Sequence, residues 1–421
     1  MIRGLAAAGL LAAIGCAPGV EGAAAPGGPR PLDPPAAAGA MAPSLALDGA
    51  DVLLTWLEPA AGMAGNAADA HALRFARLSG DRWSAPVTVA AGPDFFANWA
   101  DFPAAARGAG GLVAHWLGMI GDGTYAYGIR LARSGDGGAT WRPLGLLHDD
   151  TTPTEHGFVS YVPEGAGVRA FWLDGRETAG MAAHGEEKEG PMGLRTALVA
   201  GAAPPRGEVL DALVCSCCQT DAALATGGPV VVYRDRSERE VRDIVIVRRT
   251  PSGWSAPATV AADGWRIPGC PVNGPAVAAA GERVVVAWFT AAPPGPRVRA
   301  AFSDDGGARF AAPVEVDTGK PLGRVDLALT AGGDAVVSWL TLGAGAGGEG
   351  QRARLGLRRL GPRGAGPAVA IATTGATRSS GFPRLVIQGE RLVLAWVEDG
   401  EPSRLRAAAL PLAALPSFPG P

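Results

Sequence analysis

The sequence predicts an all-β chain folded as a single β-propeller, and three observations carry that prediction. A short apolar strand ending in an aromatic recurs seven times, at Trp56, Trp116, Trp172, Tyr233, Trp288, Trp339 and Trp396. The copies stand 60, 56, 61, 55, 51 and 57 residues apart, a regularity that reads as structural repeats. Around each aromatic the same frame of four short period-two strands returns, bounded by Gly, Pro and Asp.

Residues 1–16 read as an export signal. Arg3 supplies the charge, and Leu5 to Gly15 form an apolar run too short to span a bilayer, which needs about 20 residues. The run ends Ala13-Ile14-Gly15-Cys16, like a lipoprotein signal with Cys16 as the acylated residue, although Ala13 stands where Leu is usual. An ordinary cleaved secretion signal is the plainer reading. Residues 17–40, rich in Pro, Gly and Ala, read as a tether. The expected location is the bacterial cell envelope, with the membrane touched only through a lipid anchor.

The propeller is assigned to residues 41–412. Small-residue strands such as FPAAA from Phe102 and DAALA from Asp221 come first in each copy, because blades converge on the axis. The aromatic-ended strand follows, its near-continuous apolar run marking burial on both faces. Alternating strands such as HALRFARL and RVRAAFS come third, and strands such as WSAPVTVA fourth. Seven copies favour seven blades, the last completed by a strand from residues 30–40. Six blades plus a terminal hairpin is the competing count. Residues 413–421 read as a tail.

The chain has 37 basic and 40 acidic residues, mixed along its length, so no basic stripe offers a nucleic-acid surface. A monomer is expected.

Between the third and fourth strands of the second copy lies Ser134-Gly135-Asp136-Gly137-Gly138-Ala139-Thr140-Trp141, an Asp-box at every defined position. The fifth copy carries a partial one, with Ser303, Asp305, Gly307 and Phe310. The aspartate caps turn N–H groups and glycine supplies positive φ, so these are structural staples. Asp-boxes in register with such a repeat resemble sialidase-like (BNR-repeat) propeller proteins. The resemblance implies a glycoside hydrolase that holds an acidic sugar with three arginines, a tyrosine nucleophile activated by glutamate, and an acidic aspartate. Here the last tyrosine is Tyr233, and no early Arg-Ile-Pro motif is present.

Residues preceding the innermost strands, and those in the loops after the second strands, should line one face round the axis. They give an arginine-rich funnel in which Arg176, Arg234, Arg236, Arg324 and Arg384, with Gln219 and Asn273, bind an acidic glycan by bidentate hydrogen bonds. His156, Asp174, Asp221, Asp235 and Asp326 are the candidate acids and bases. A solvated network of Arg–Asp pairs is the plainer reading of RDRSEREVRDI. The alternative function is a non-catalytic lipoprotein that binds an envelope protein or glycan.

Cys215, Cys217 and Cys218 precede one innermost strand and Cys270 the next, so the four should meet at the rim. Disulfides are expected, Cys217 or Cys218 bridging to Cys270. A soft-metal site, copper(I) on thiolates with His156, is the other reading. No other cofactor is expected.

Overall fold

The computed structural model describes residues 27–60, 70–181, 190–201, 207–343 and 351–417. Cys16 and the signal segment lie outside them. The chain forms seven antiparallel blades of four strand positions, each sheet ordered from the axis outward. The innermost strands are Met41–Asp48, Ala104–Gly108, His156–Glu164, Asp221–Ala225, Ala276–Ala280, Pro321–Leu329 and Arg384–Gln388. Each packs on the next, and the seventh packs on the first, which makes a closed ring. Helix is limited to three short 3-10 turns, and no helix among the described residues is long and apolar enough to cross a membrane.

Blade 7 takes its outer strand from the start of the chain: Arg30 and Pro31 pair with Ala409 and Ala408. Leu32 and Ala40 are then buried between the first and last blades. Residues 30–40 are therefore part of the propeller, whereas their composition reads as tether. At the other end Leu415 packs under blades 6 and 7, so the start of the predicted tail is docked too.

The second-strand aromatics are the wedges between blades. Trp56, Trp172 and Trp288 are fully buried, and each packs on residues of the preceding blade. Truncating one to Ala costs roughly 3–5 kcal/mol. Their indole N–H groups are not left dry. Trp56 donates to Glu58 (2.8 Å), Trp172 to Asp174 (2.9 Å), Trp288 to Asp263 (2.7 Å) and Trp339 to Asp317 (2.7 Å).

The Asp-box turns form as predicted. Asp136 accepts the N–H and hydroxyl of Thr140 and the hydroxyl of Ser134. Gly138 sits at φ 100°, and a Cβ there would lie 2.2 Å from the Phe75 ring. Only glycine lets Trp141 fold edge-on against that ring, at 5.4 Å. In blade 5, Asp305 accepts from Ser303 and from the backbone and side chain of Arg309.

Candidate functional site at the axis and its rim

An innermost strand has a neighbour on one side only, so its other edge must find partners for buried backbone groups. Side chains of the adjoining blade provide them. Asp101 accepts the N–H of Phe158 (2.9 Å), Gln219 that of Gly274 (2.9 Å), and Asn273 that of Arg324 (2.7 Å). Asp221 accepts the N–H of Val277 and Asp326 that of Leu385, both at 2.8 Å. Gln219, Asn273, Asp221 and Asp326, predicted as ligand contacts or acids, are thus latches between consecutive blades. Ala42, Phe158 and Arg324 all hold positive φ at bulges that open the inner strands of blades 1, 3 and 6. The latches on Phe158 and Arg324 hold two of these strained residues.

Aromatic side chains from blades 2 and 7 meet near the axis. The segment 98–102, ahead of blade 2, crosses to the far side of the ring. Gln219 donates to the carbonyl of Ala100 (2.7 Å), and the ring of Phe382, from blade 7, stacks near Trp99 and Phe102. Beneath this plug lies a cavity of about 120 Å³ lined by Ser44, Tyr161, Thr220, Asp221 and Arg384. Arg384 Nε stands 3.3 Å from Asp326 Oδ2, and its guanidinium lies over Phe102. Burial pushes Asp221 up to about 7; Arg384 opposes the rise and Asp326 adds to it. Two carboxylates and an arginine do converge at the axis.

Arg234 does not face a ligand. It is 1% exposed and donates to the carbonyls of Asn273 (3.0 and 2.8 Å), Arg242 (2.6 Å) and Phe289 (2.8 Å), with Trp265 under its plane. It is a staple joining blades 4 and 5. Arg236 pairs with Glu240 (2.9 Å), which also holds Arg242 (2.8 Å), so that loop is largely the paired network its composition allows. Asp235 in the same loop is raised to about 6, chiefly by burial. Arg176 is bound to Asp174 (2.7 Å) and Asp149 (3.0 Å). The Nε2 of His156 faces Asp150 (3.0 Å) and Asp174 (3.7 Å), its Nδ1 faces the carbonyl of Thr154 (3.2 Å), and its ring stacks on His148. Burial favours the uncharged acid at Asp174, but Arg176, His156 and Trp172 together hold it down at about 2.

Arg324 is different. It is 7% exposed, yet its side chain donates only to the carbonyl of Gly381 (3.1 Å). Its guanidinium lies 5.0 Å from the Trp99 ring, and that of the exposed Arg378 lies 5.8 Å from the same ring. Burial and the charge of Arg378 lower Arg324 to about 10. Neither arginine has a carboxylate partner among the described residues.

A larger hollow lies on the same loop-bearing face, over blades 2 to 4. It measures about 480 Å³ and is lined by Tyr125, Thr154, Glu155, Met181, Met192 and Ser216 among others. Behind its wall the buried Tyr127 donates to the lining residue Glu155 at 2.6 Å and stacks on Phe96. The sequence reading missed Tyr127 and Glu155. The only signal was an aromatic opening the third strand of blade 2 and an acid beside His156. Tyr233, the last tyrosine of the sequence, donates to Asp211 (2.6 Å), while the hydroxyl of Tyr161 is buried without a hydrogen-bond partner among the described residues, in the axial cavity beside Asp221 and Arg384. Phe96 also meets Tyr125, so the 96–99 stretch runs from this cleft to the Arg324–Trp99–Arg378 group. Three residues span at most about 11 Å.

No protein-family model matches the chain, and no curated protein matches it. Among solved structures it is similar to an ulvan lyase of polysaccharide lyase family PL25 bound to -[GlcA(1-4)Rha3S]-, at 10% identity and a TM-score of 0.53, covering 92% of this chain and 100% of that one. An α-L-arabinanase of Penicillium chrysogenum matches at 12% identity and 0.47, over 92% and 99% of the two chains. A Streptococcus pneumoniae sialidase matches at 12% and 0.44, over 89% and 68%. These are likenesses of architecture: the match to the ulvan lyase shows the fold alone, and the chain is a seven-bladed all-β propeller with Asp-box turns between strands.

Proposed function

We propose that the protein binds an acidic polysaccharide across this face, with the sugar rings in the cleft over blades 2–4 and an anionic group on Arg324 and Arg378. The observation that carries the reading is the arginine pair flanking Trp99 without a carboxylate partner. Burying a guanidinium beside a second positive charge is costly unless an anion joins them. The aromatic between them offers a flat face to a sugar ring, and the cleft within about 11 Å has the length for further residues. The ulvan lyase, similar in fold, was solved with an acidic repeat bound, which is the same class of ligand. Location at the cell envelope, as the leader predicts, gives such a protein access to extracellular glycans.

A second reading, turnover of the bound chain, rests on Glu155 and Tyr127. A tyrosine hydroxyl shared with a carboxylate at a cleft wall is a pair that can exchange a proton with a substrate oxygen.

The test is a glycan array of uronate-, sulfate- and sialate-bearing chains, followed by affinity measurement and a depolymerisation assay. Arg378→Ala should weaken binding roughly tenfold, equivalent to ~1.4 kcal/mol, and binding should fall as salt rises. Turnover that vanishes in Glu155→Gln while binding persists would make the propeller an enzyme. Absence of any acidic-glycan binding, or affinity indifferent to Arg378→Ala, would refute the reading.

A further inference from the structure

The cysteines, which the carbohydrate reading leaves unused, converge on one point. Cys215 follows the outer strand Glu208–Val214 and is fixed by its N–H on the carbonyl of Arg234 (3.0 Å). The turn that follows folds back on itself. Cys217 Sγ comes to 3.8 Å from Cys215 Sγ, and Cys218 Sγ to 3.4 Å. The three are 1%, 5% and 1% exposed, and their sulfurs lie within 4.8 Å of one another. None of the four cysteines is in a disulfide, and these separations exceed an S–S bond of about 2.05 Å. The expected bridge from Cys217 or Cys218 to Cys270 is therefore not formed here.

The surroundings suit a charged sulfur cluster. Arg242, 1% exposed, donates to Cys215 Sγ at 3.3 Å and is itself tied to Glu240. Burial opposes a thiolate at Cys215, but hydrogen bonds from Cys217 and Cys218 and the charge of Arg242 hold it well below the thiol range. Cys217 and Cys218 are pushed up, first by burial.

Three sulfurs round a metal ion in their plane, at the usual thiolate distance of about 2.3 Å, stand about 4 Å apart. That is close to the spacing here. Cys270 hydrogen-bonds with Cys217 but is not within 4.8 Å of all three sulfurs, and it is only partly buried. A closed structural zinc site wants four ligands, whereas soft thiolates in a three-sulfur set select copper(I). His156 is not grouped with the three sulfurs; its Nε2 stands 3.0 Å from Asp150 and 3.7 Å from Asp174.

We propose that Cys215, Cys217 and Cys218 form a buried three-thiolate site for one copper(I) ion, with Arg242 as the positioning partner of Cys215. Binding releases the protons of Cys217 and Cys218 to solvent and moves no electron; copper enters and stays as copper(I). Ser216, in the same turn, lines the cleft, which gives the ion a path from outside.

The experiment is an anaerobic titration of the reduced full-length protein with copper(I) delivered from a coloured chelator, independent of any glycan. About one equivalent should leave the chelator, and X-ray absorption should count three sulfurs at about 2.3 Å. Cys217→Ser and Cys218→Ser should each weaken retention at least about a hundredfold, and Cys270→Ser by no more than about threefold. Cys217→Ser carries the test if Cys215→Ser does not fold, since Cys217 is the most exposed of the three. Three results would overturn the site: no copper withdrawn from the chelator, zinc held more tightly through Cys270, or a native disulfide whose reduction yields no copper affinity.

Discussion

Arg234 and Arg324 are both buried arginines near the inner strands, and they teach opposite lessons. Arg234 spends its donors on three carbonyls in four hydrogen bonds and lies over Trp265. Arg324 has one carbonyl, a half-buried tryptophan and a like charge beside it. Burial alone therefore says nothing about ligand binding. What distinguishes the two is the number of donors left over once the fold has taken its share, and by that measure Arg324 is the one poised for an anion.

The comparison is most sharply tested by stability. Arg234→Met should strand the carbonyls of Asn273, Arg242 and Phe289 in a dry interface and cost about 4 kcal/mol, because each orphaned buried acceptor costs ~1–3 kcal/mol. Arg324→Met orphans one carbonyl and removes a repulsion, so it should cost no more than about 1 kcal/mol. Equal losses in urea unfolding would erase the distinction.

The axial carboxylates extend it. Asp326 has Arg384 at 3.3 Å, whereas Asp221 is raised to about 7. The native state holds a proton on Asp221 that the unfolded chain, with an ordinary carboxyl near 3.9, releases. This group therefore makes stability fall as pH rises from about 4 to about 7, and the effect is flat above that. Asp221→Asn keeps an acceptor for Val277 and should gain stability relative to the parent across the same window. Unfolding curves that shift in parallel at about pH 5 and about pH 8 would show that Asp221 is not the titrating group.

The smallest effect belongs to the Asp-boxes. Asp136→Ala should lower the melting midpoint more than Asp305→Ala, since Asp136 also caps the Thr140 hydroxyl under a packed Trp141, while the partner of Asp305 is the 88% exposed Arg309. Added salt should weaken only the Asp305 contribution.

The propeller was legible because each blade repeats a burial pattern that periodicity records directly. Ring closure from residues 30–40 was legible too, as a missing fourth strand in the last copy. The site was not, because arginine and aspartate read alike whether they point to a ligand or to the neighbouring blade. Asn273 and Gln219 look like ligand contacts until the N–H groups of Arg324 and Gly274 appear on them. The plug at the axis could not be read either. It depends on Trp99 reaching residues more than two hundred positions away, and no local pattern encodes that meeting. The cysteine meeting was anticipated from blade register; its pairing chemistry was not.

The closing strand also dictates an order of events. Arg30 pairs with Ala409, so this strand finds its place only when nearly the whole chain is available. A chain that emerges from its N-terminus must keep this arm unpaired until blade 7 exists, and its last sheet has an open edge meanwhile. The entropy of closing so long a loop grows only logarithmically with length, so the delay costs little in final stability. It makes the ring a lock whose key is cut first and turned last.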